Sequence, residues 1–145
     1  MTLAPGACHN PVAMLGQLNI VNLTKAAADS RFKLVLELVA ANAQLLLAHW
    51  QAPTKTNEHA AIGELYEAIA GLTDTYAEAL MGGAGSREFP TGVSCPFTPG
   101  TDAKKAVADM KAAVQSLLSA SETEDLKNVA ADMLGAVNKT LYKLS

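Results

Sequence analysis

The chain has 145 residues, of which 50% are hydrophobic, 17% charged and 5% aromatic, with a formal net charge of −3. This length fits one domain that buries a core without disulfides or zinc, and the low charge and high apolar content exclude disorder. The small negative charge argues against a protein that works by neutralising nucleic-acid phosphates, so no nucleic-acid partner is expected. Alanine and leucine make up almost a third of the residues, which favours an all-α protein.

The first 28 residues are predicted to form an N-terminal arm with a short helix. The opening fourteen residues contain no Lys or Arg and are interrupted by prolines, unlike a signal peptide. Asn10-Pro11 matches the N-cap and first position of a helix over 11–24. The longest apolar stretch, 34–50, contains Glu, Asn, Gln and His, so no membrane span is expected. These features predict a cytoplasmic protein.

Residues 29–145 are predicted to form an antiparallel four-helix bundle, because apolar residues recur at helical spacing in four segments. The segments begin near Asp29, Asn57, Thr101 and Ser121. Pro53 follows the end of the first helix, and Gly82-Gly83 ends the second. Ser121-x-x-Glu124 matches a capping box at the start of the fourth helix.

A long loop is predicted between the second and third helices. Residues 82–100 contain five Gly and three Pro, and a loop of this length in a small domain is usually functional or docked onto another surface. Cys8 and Cys95 lie in segments without helical periodicity and have no metal-ligand spacing. Two free thiols and a disulfide between segments or subunits both remain open.

A group of metal-ligand residue types surrounds the first interhelical turn. His49 ends the first long helix, and His59 begins the second. Asp74 and Glu78 then fall about 60° and 100° round the second helix from His59, with Glu67 between them. Two imidazoles and two carboxylates suit iron or another borderline divalent metal, and open coordination positions would allow oxygen chemistry. The alternative is that His49 caps a helix and the acids form a solvated edge.

The residues in this region resemble those of a known family. HWQ at 49–51, EHAAIGELYEAI at 58–69 and TDTYAEALMG at 73–82 are similar to the Dps mini-ferritins of the ferritin-like superfamily. They are closer still to a small Dps-like family encoded largely by bacteriophages, and NKTLYKL at 138–144 is similar to that family's last helix. The resemblance implies a ferritin-like fold, a homo-oligomer and iron(II) oxidation between subunits. His49 and His59 of one subunit would then face Asp74 and Glu78 of its neighbour.

The sequence departs from the mini-ferritin pattern in three places, one of which is Ala79, where mini-ferritins usually have an Arg after the Glu of the pair. Gly63 stands where mini-ferritins usually have an Asp, although Glu67 one turn later is a candidate replacement. The Lys-rich N-terminal tail that holds DNA in some members is absent. Two functions therefore stay open: a degenerate bundle that serves as a structural, capsid-associated phage protein in the virion or host cytoplasm, and an iron-oxidising mini-ferritin.

Candidate interface residues lie on both helices around the turn. Ala61, Ala68 and Gly71 belong to a side of the second helix rich in small residues, which would let another subunit approach closely. A plain alanine-rich face in solvent is the alternative. Trp50 is predicted to anchor either an interface or the core.

Overall fold

The computed structural model describes the backbone of residues 20–94 and 98–145 and the side chains of residues 30–94 and 98–145. Within these ranges it contains four helices and no β-strand. They are α1 (Ile20–Gln51), α2 (Asn57–Ala84), α3 (Ala103–Ala120) and α4 (Glu124–Leu144). The predicted all-α class is confirmed. The arm before residue 20, with Cys8, lies outside the described residues, as does Cys95.

Helix α1 begins earlier than the sequence predicts. It runs without a break from Ile20, so residues 20–24 belong to it and not to a separate short helix. Lys25 and the three alanines that follow are strong helix formers, and neither Gly nor Pro interrupts the segment. Backbone propensity therefore continues the helix where the apolar spacing is irregular.

The ends of α2 and the start of α3 follow standard capping. Thr56 is the N-cap of α2, and its Oγ1 accepts a hydrogen bond from the His59 N–H at 3.1 Å. The helix ends at Ala84 and is capped by Gly85, which has a left-handed φ of 64°, so it continues past the predicted Gly82-Gly83 stop. Asp102 caps α3 by accepting from the Lys105 N–H at 2.9 Å, which confirms the predicted start.

The predicted capping box at Ser121 is wrong. The N-cap of α4 is Thr123, and Ser121 is instead the C-cap of α3. Its side chain is buried, donates to the Leu117 carbonyl at 2.7 Å and lies 2.7 Å from the Tyr76 hydroxyl. Because the hydroxyl is already hydrogen-bonded inside the core, it is not free to cap the next helix.

The four helices pack in a square in the order α1, α2, α4, α3, with α2 and α3 on a diagonal. The Gly100 N–H donates to Gln51 Oε1 at 3.1 Å, so α3 starts beside the end of α1. Asn57 Nδ2 donates to the Lys143 carbonyl at 2.9 Å, so α4 ends beside the start of α2. Neighbouring helices are therefore antiparallel, as predicted, while α2 and α3 point the same way.

This order requires the connection from α2 to α3 to cross the whole length of the bundle. Near the far end, Phe89 packs on Phe32 with ring centroids 4.7 Å apart. Further along, Gln44 Nε2 donates to the Thr98 carbonyl at 2.8 Å, and Gln44 Oε1 accepts from the Thr98 N–H at 2.9 Å. The crossover is thus attached to α1 at both ends.

The core consists of apolar side chains from all four helices. Fully buried members include Phe32, Leu38, Leu45, Ile62, Leu65, Ile69, Leu80, Met110, Leu117 and Met133. Each such side chain stabilises the fold by about 1.5–3 kcal/mol relative to leaving it exposed.

Part of α1 is unusually apolar for a helix on the outside of a bundle. Among the described residues, the segment Ser30–Gln51 is long and apolar enough to cross a membrane by length and composition, and a core helix of a soluble protein passes the same test. Only 28% of the most apolar stretch of this segment is buried inside the chain. Its exposed large apolar side chains are Val39 and Trp50.

Candidate functional site

The structure brings the two predicted histidines into direct contact. Their rings stack with centroids 3.9 Å apart and planes inclined by 27°. His49 Nδ1 lies 2.9 Å from the His59 carbonyl oxygen, and His59 Nδ1 lies 2.9 Å from the His49 carbonyl oxygen. A carbonyl oxygen only accepts hydrogen bonds, so both Nδ1 atoms must carry the proton. In the neutral rings the free lone pair is therefore on Nε2.

Gly63 makes this contact possible. A Cβ atom at position 63 would lie 2.8 Å from His49 Cε1 and 3.1 Å from His49 Nδ1. The ring of His49 thus fills the space in which a side chain at position 63 would begin. The glycine that the sequence presents as a missing carboxylate has a packing role of its own.

The predicted acidic ligands lie elsewhere on the subunit. Glu67, Asp74 and Glu78 are exposed on α2, and the fifteen positions from His59 to Asp74 span about 22 Å of helix. In the part of the chain that the structure describes, no group of three or more His, Cys, Asp or Glu side chains could hold a metal ion. A site with all four predicted ligands would need a second subunit.

The stacked histidines do not fit a metal ion as they stand. A histidine ligand binds through the lone pair in the plane of its ring, about 2 Å from the metal. In two rings stacked 3.9 Å apart with planes inclined by only 27°, the lone pairs run nearly parallel, so no point lies in both ring planes at that distance from both nitrogens. Coordination of one ion by both rings would require at least one ring to turn away.

The candidate interface residues occupy different environments. Trp50 is 66% exposed, so it is not a core anchor. Ala68 and Gly71 are exposed on α2 and open to a partner. Ala61 is only 1% exposed. It packs inside its own subunit and is not part of any outer surface.

Sequence reasoning missed a second apolar stripe on α1. It is spaced alternately by three and four positions and is formed by Leu36, Val39, Ala43, Leu46 and Trp50, here called the α1 outer stripe. Val39 is 50% exposed, and the other members range from half-buried to exposed. Doubled apolar positions such as Leu38-Val39 and Leu45-Leu46 could have revealed it, because adjacent residues on a helix point about 100° apart.

The outer side of α2 is acidic. The helix contains five acidic residues and no Lys or Arg. A hydrogen bond from Lys143, together with its charge, lowers the pKa of Glu64. Among the described residues, no cation forms a salt bridge with Glu67, Asp74 or Glu78. The second half of α2 therefore presents uncompensated negative charge.

These features define an antiparallel helical-bundle protein with one long crossover and a histidine pair at its first turn. A family model described as a family of unknown function (DUF5856) matches residues 49–144. The match begins at His49 and covers about two thirds of the chain, including the histidine pair, Gly63 and the acids of α2. The chain belongs to this family. No curated protein and no solved structure matches it.

Proposed function

We propose that the protein is a Dps/ferritin-like subunit of a homo-oligomer with a structural role, of the kind found in phage assembly proteins. The α1 outer stripe is the observation that carries this proposal. It runs about four turns along the surface, and it leaves Trp50 66% and Val39 50% exposed. The other three members are half-buried, so the stripe is a row of partly exposed apolar side chains of the kind that an interaction covers, and a second copy offers a stripe of the same shape.

The helix order supports the ferritin-like part of the proposal. Ferritin-like bundles differ from simple up-and-down bundles by one long crossover connection. Here one crossover joins α2 to α3, and the two helices run in the same direction. The sequence resemblance around His49 and His59 independently favours the same fold.

A two-fold axis level with Ala43 would pair two α1 outer stripes. Ala43 is the centre of the stripe, so antiparallel copies place Leu36 against Trp50 and Val39 against Leu46, the self-complementary contact of an isologous dimer. The contacts of Asn42 with the Tyr66 carbonyl and of His49 with His59 put Ala43 level with about residue 65 of α2.

The same axis would bring the histidine end of one α2 level with the acidic half of the neighbouring α2. His59 lies six positions before residue 65, so it would stand level with Gly71 of the neighbouring subunit, one turn from Asp74. A small residue would then permit close approach, and the acidic half of one α2 would face the histidine end of the other. Two separate features, the stripe and the charge pattern, thus favour one arrangement.

The wider partner is proposed to be a capsid or other virion protein, because the sequence around His49 and His59 resembles that of a phage-encoded family. This places the protein in the host cytoplasm or the virion. The alternative function is that of a mini-ferritin that binds and oxidises iron(II). The proximity of His59 and Asp74 across the proposed axis favours it, and the stacked rings oppose it.

The oligomer is tested by light scattering coupled to size exclusion and by native mass spectrometry. The wild-type protein is expected as a dimer or a multiple of it. Val39→Glu should weaken the dimer at least tenfold, because burying one unpaired carboxylate costs several kcal/mol. Ala112→Glu adds the same charge to an exposed position of α3 and should leave the assembly unchanged. A monomeric wild-type protein at micromolar concentration would contradict the proposal.

The structural role and the iron alternative separate in an iron(II) oxidation assay in air. A structural protein oxidises iron(II) no faster than buffer, and no faster than its His59→Ala/Asp74→Ala variant. Faster oxidation by the wild-type protein alone would establish the alternative. Electron microscopy that shows free hollow shells without a larger partner would contradict the capsid association.

A further inference from the structure

The turn between α1 and α2 is closed by side chains that reach across it in both directions. His49 belongs to the last turn of α1, so its carbonyl has no partner within the helix. His59 Nδ1 supplies that partner at 2.9 Å from the first turn of α2. His49 Nδ1 makes the reciprocal bond to the His59 carbonyl at 2.9 Å. Each histidine thereby ties down the backbone of the other.

Gly63 is the third member of this arrangement. It lies one turn after His59, where any Cβ would overlap the His49 ring at 2.8 Å. The ring therefore keeps both its stacking contact and its hydrogen bond only while position 63 has no side chain. A carboxylate at position 63 and the stacked His49 ring exclude each other.

We infer that His49, His59 and Gly63 form a latch that fixes α1 to α2, and that this chain uses the two histidines for the latch in place of a metal site. The inference goes beyond the proposed oligomeric role and concerns a single subunit. The latch rests on both Nδ1 atoms being held by carbonyl oxygens. The absence of a shared metal site rests on the stacked geometry, in which the lone pairs of the two Nε2 atoms do not converge.

Glycine-to-alanine substitutions test the latch by the sign of their effect on Tm. In the middle of a helix this substitution normally stabilises, by about 1–4 °C for a chain of this size. Gly135→Ala is the matched control and should raise Tm. Gly135 is exposed on α4, and nothing lies within 4 Å of the added atom. Gly63→Ala should lower Tm because it expels the His49 ring.

The double variant makes the test specific to the ring. In a His49→Ala background the space above Gly63 is empty, so Gly63→Ala should raise Tm as Gly135→Ala does. A rise in Tm for Gly63→Ala in both backgrounds would overturn the latch. The comparison is made between variants of one subunit, so it is separate from the light-scattering test of the oligomer.

Nitrogen-detected NMR of the histidine rings tests the inference on the unsubstituted latch. His9→Gln removes the third histidine signal. Both remaining rings should be Nδ1–H tautomers, and equimolar Zn²⁺ should leave their Nε2 resonances in place. Nε2–H tautomers, or a stoichiometric shift of both Nε2 resonances with Zn²⁺, would overturn the inference.

Discussion

Tyr76 is the largest completely buried side chain among the described residues. Its hydroxyl lies 2.7 Å from Ser121 Oγ, and the Ser121 hydrogen is already donated to the Leu117 carbonyl. Tyr76 is therefore the donor of the shared hydrogen bond, and its phenol must stay protonated to make it. Burial raises the pKa of Tyr76, and the charge of Arg31 opposes this only in part.

This raised pKa predicts a loss of stability in alkali. In the unfolded chain Tyr76 ionises near its ordinary pKa of about 10, whereas in the folded protein it keeps its proton to higher pH. The unfolded state thus binds fewer protons above pH 10, and the free energy of unfolding falls as pH rises from there. At neutral pH, Tyr76→Phe should cost about 1 kcal/mol for the lost hydrogen bond.

Urea unfolding between pH 8 and pH 11 measures this effect. Tyr76→Phe should have a shallower alkaline decline than the wild-type protein. Tyr142→Phe, at a side chain that is 81% exposed, should have the wild-type decline. Identical alkaline slopes for Tyr76→Phe and the wild-type protein would contradict the assignment.

Gly63 illustrates what the sequence can reveal at the scale of one residue. The sequence correctly places His49 and His59 on the two sides of the turn between α1 and α2. Pro53 marks the end of α1, and α2 is predicted to begin near Asn57. The sequence presents Gly63 only as the absence of a ligand. That the His49 ring fills its place depends on how closely α1 approaches α2, which no periodicity within one helix encodes.

At the scale of elements, Gln44 attaches the crossover to α1 through two hydrogen bonds. Its side-chain amide pairs with both backbone groups of Thr98, as a neighbouring strand would. The Gly100 N–H is held separately by Gln51. The two glutamines therefore control different parts of the segment before α3.

Gln44→Ala should release Thr98 without unfolding the bundle. The Thr98 amide hydrogen is expected to exchange with solvent at least tenfold faster, because its acceptor is lost, while the Gly100 amide keeps its protection. Global stability should change by about 1 kcal/mol. Hydrogen exchange followed by NMR measures both amides.

The matched control for the crossover is Gln115→Ala, at an exposed position of α3. It removes the same amide from a place away from the crossover and should leave the exchange of Thr98 unchanged. Equal protection of Thr98 in Gln44→Ala and the wild-type protein would show that the side-chain pairing does not hold the loop.

The sequence predicts a helix end correctly where a nearby capping residue determines it. It fails where a contact in the core determines the helix end. Asp102 caps α3 by accepting a hydrogen bond from the N–H of Lys105, three positions later. Because the two residues are close in sequence, this cap can be recognised from the sequence alone. Ser121 has the same local pattern, yet its hydroxyl hydrogen-bonds to Tyr76, 45 positions away. The core contact with Tyr76 therefore determines the role of Ser121, although the local sequence matches a capping box.

At the scale of the whole molecule, the sequence predicts four antiparallel helices but not which of them are neighbours. Short turns fix α1 beside α2 and α3 beside α4. The 82–100 loop is long enough to return α3 beside either α1 or α2, so the diagonal pairing of α2 and α3 follows only from tertiary packing. In this arrangement α1 packs against α2 and α3, and Val39 and Trp50 of the α1 outer stripe stay exposed on a side that neither helix covers.

A cross-linking experiment tests the proposed two-fold axis at Ala43. With Cys8→Ser and Cys95→Ser in the background, Ala43→Cys places one thiol per subunit at the axis. Packed helices lie about 8–10 Å apart, with Cα atoms about 2.3 Å from each helix axis. Facing Cα atoms at the crossing point would then be about 3.4–5.4 Å apart, which overlaps the range of about 4.4–6.8 Å that a disulfide spans.

Leu36→Cys is the matched control because it lies on the same stripe, seven positions from the axis. Its two copies would be about 21 Å apart along the antiparallel helices, too far for a disulfide. Under mild oxidation, Ala43→Cys should therefore form a covalent dimer on non-reducing gels, and Leu36→Cys should stay monomeric. Equal cross-linking of the two variants, or none in Ala43→Cys, would exclude an axis at this point and with it the contact proposed between His59 and the acidic half of the neighbouring α2.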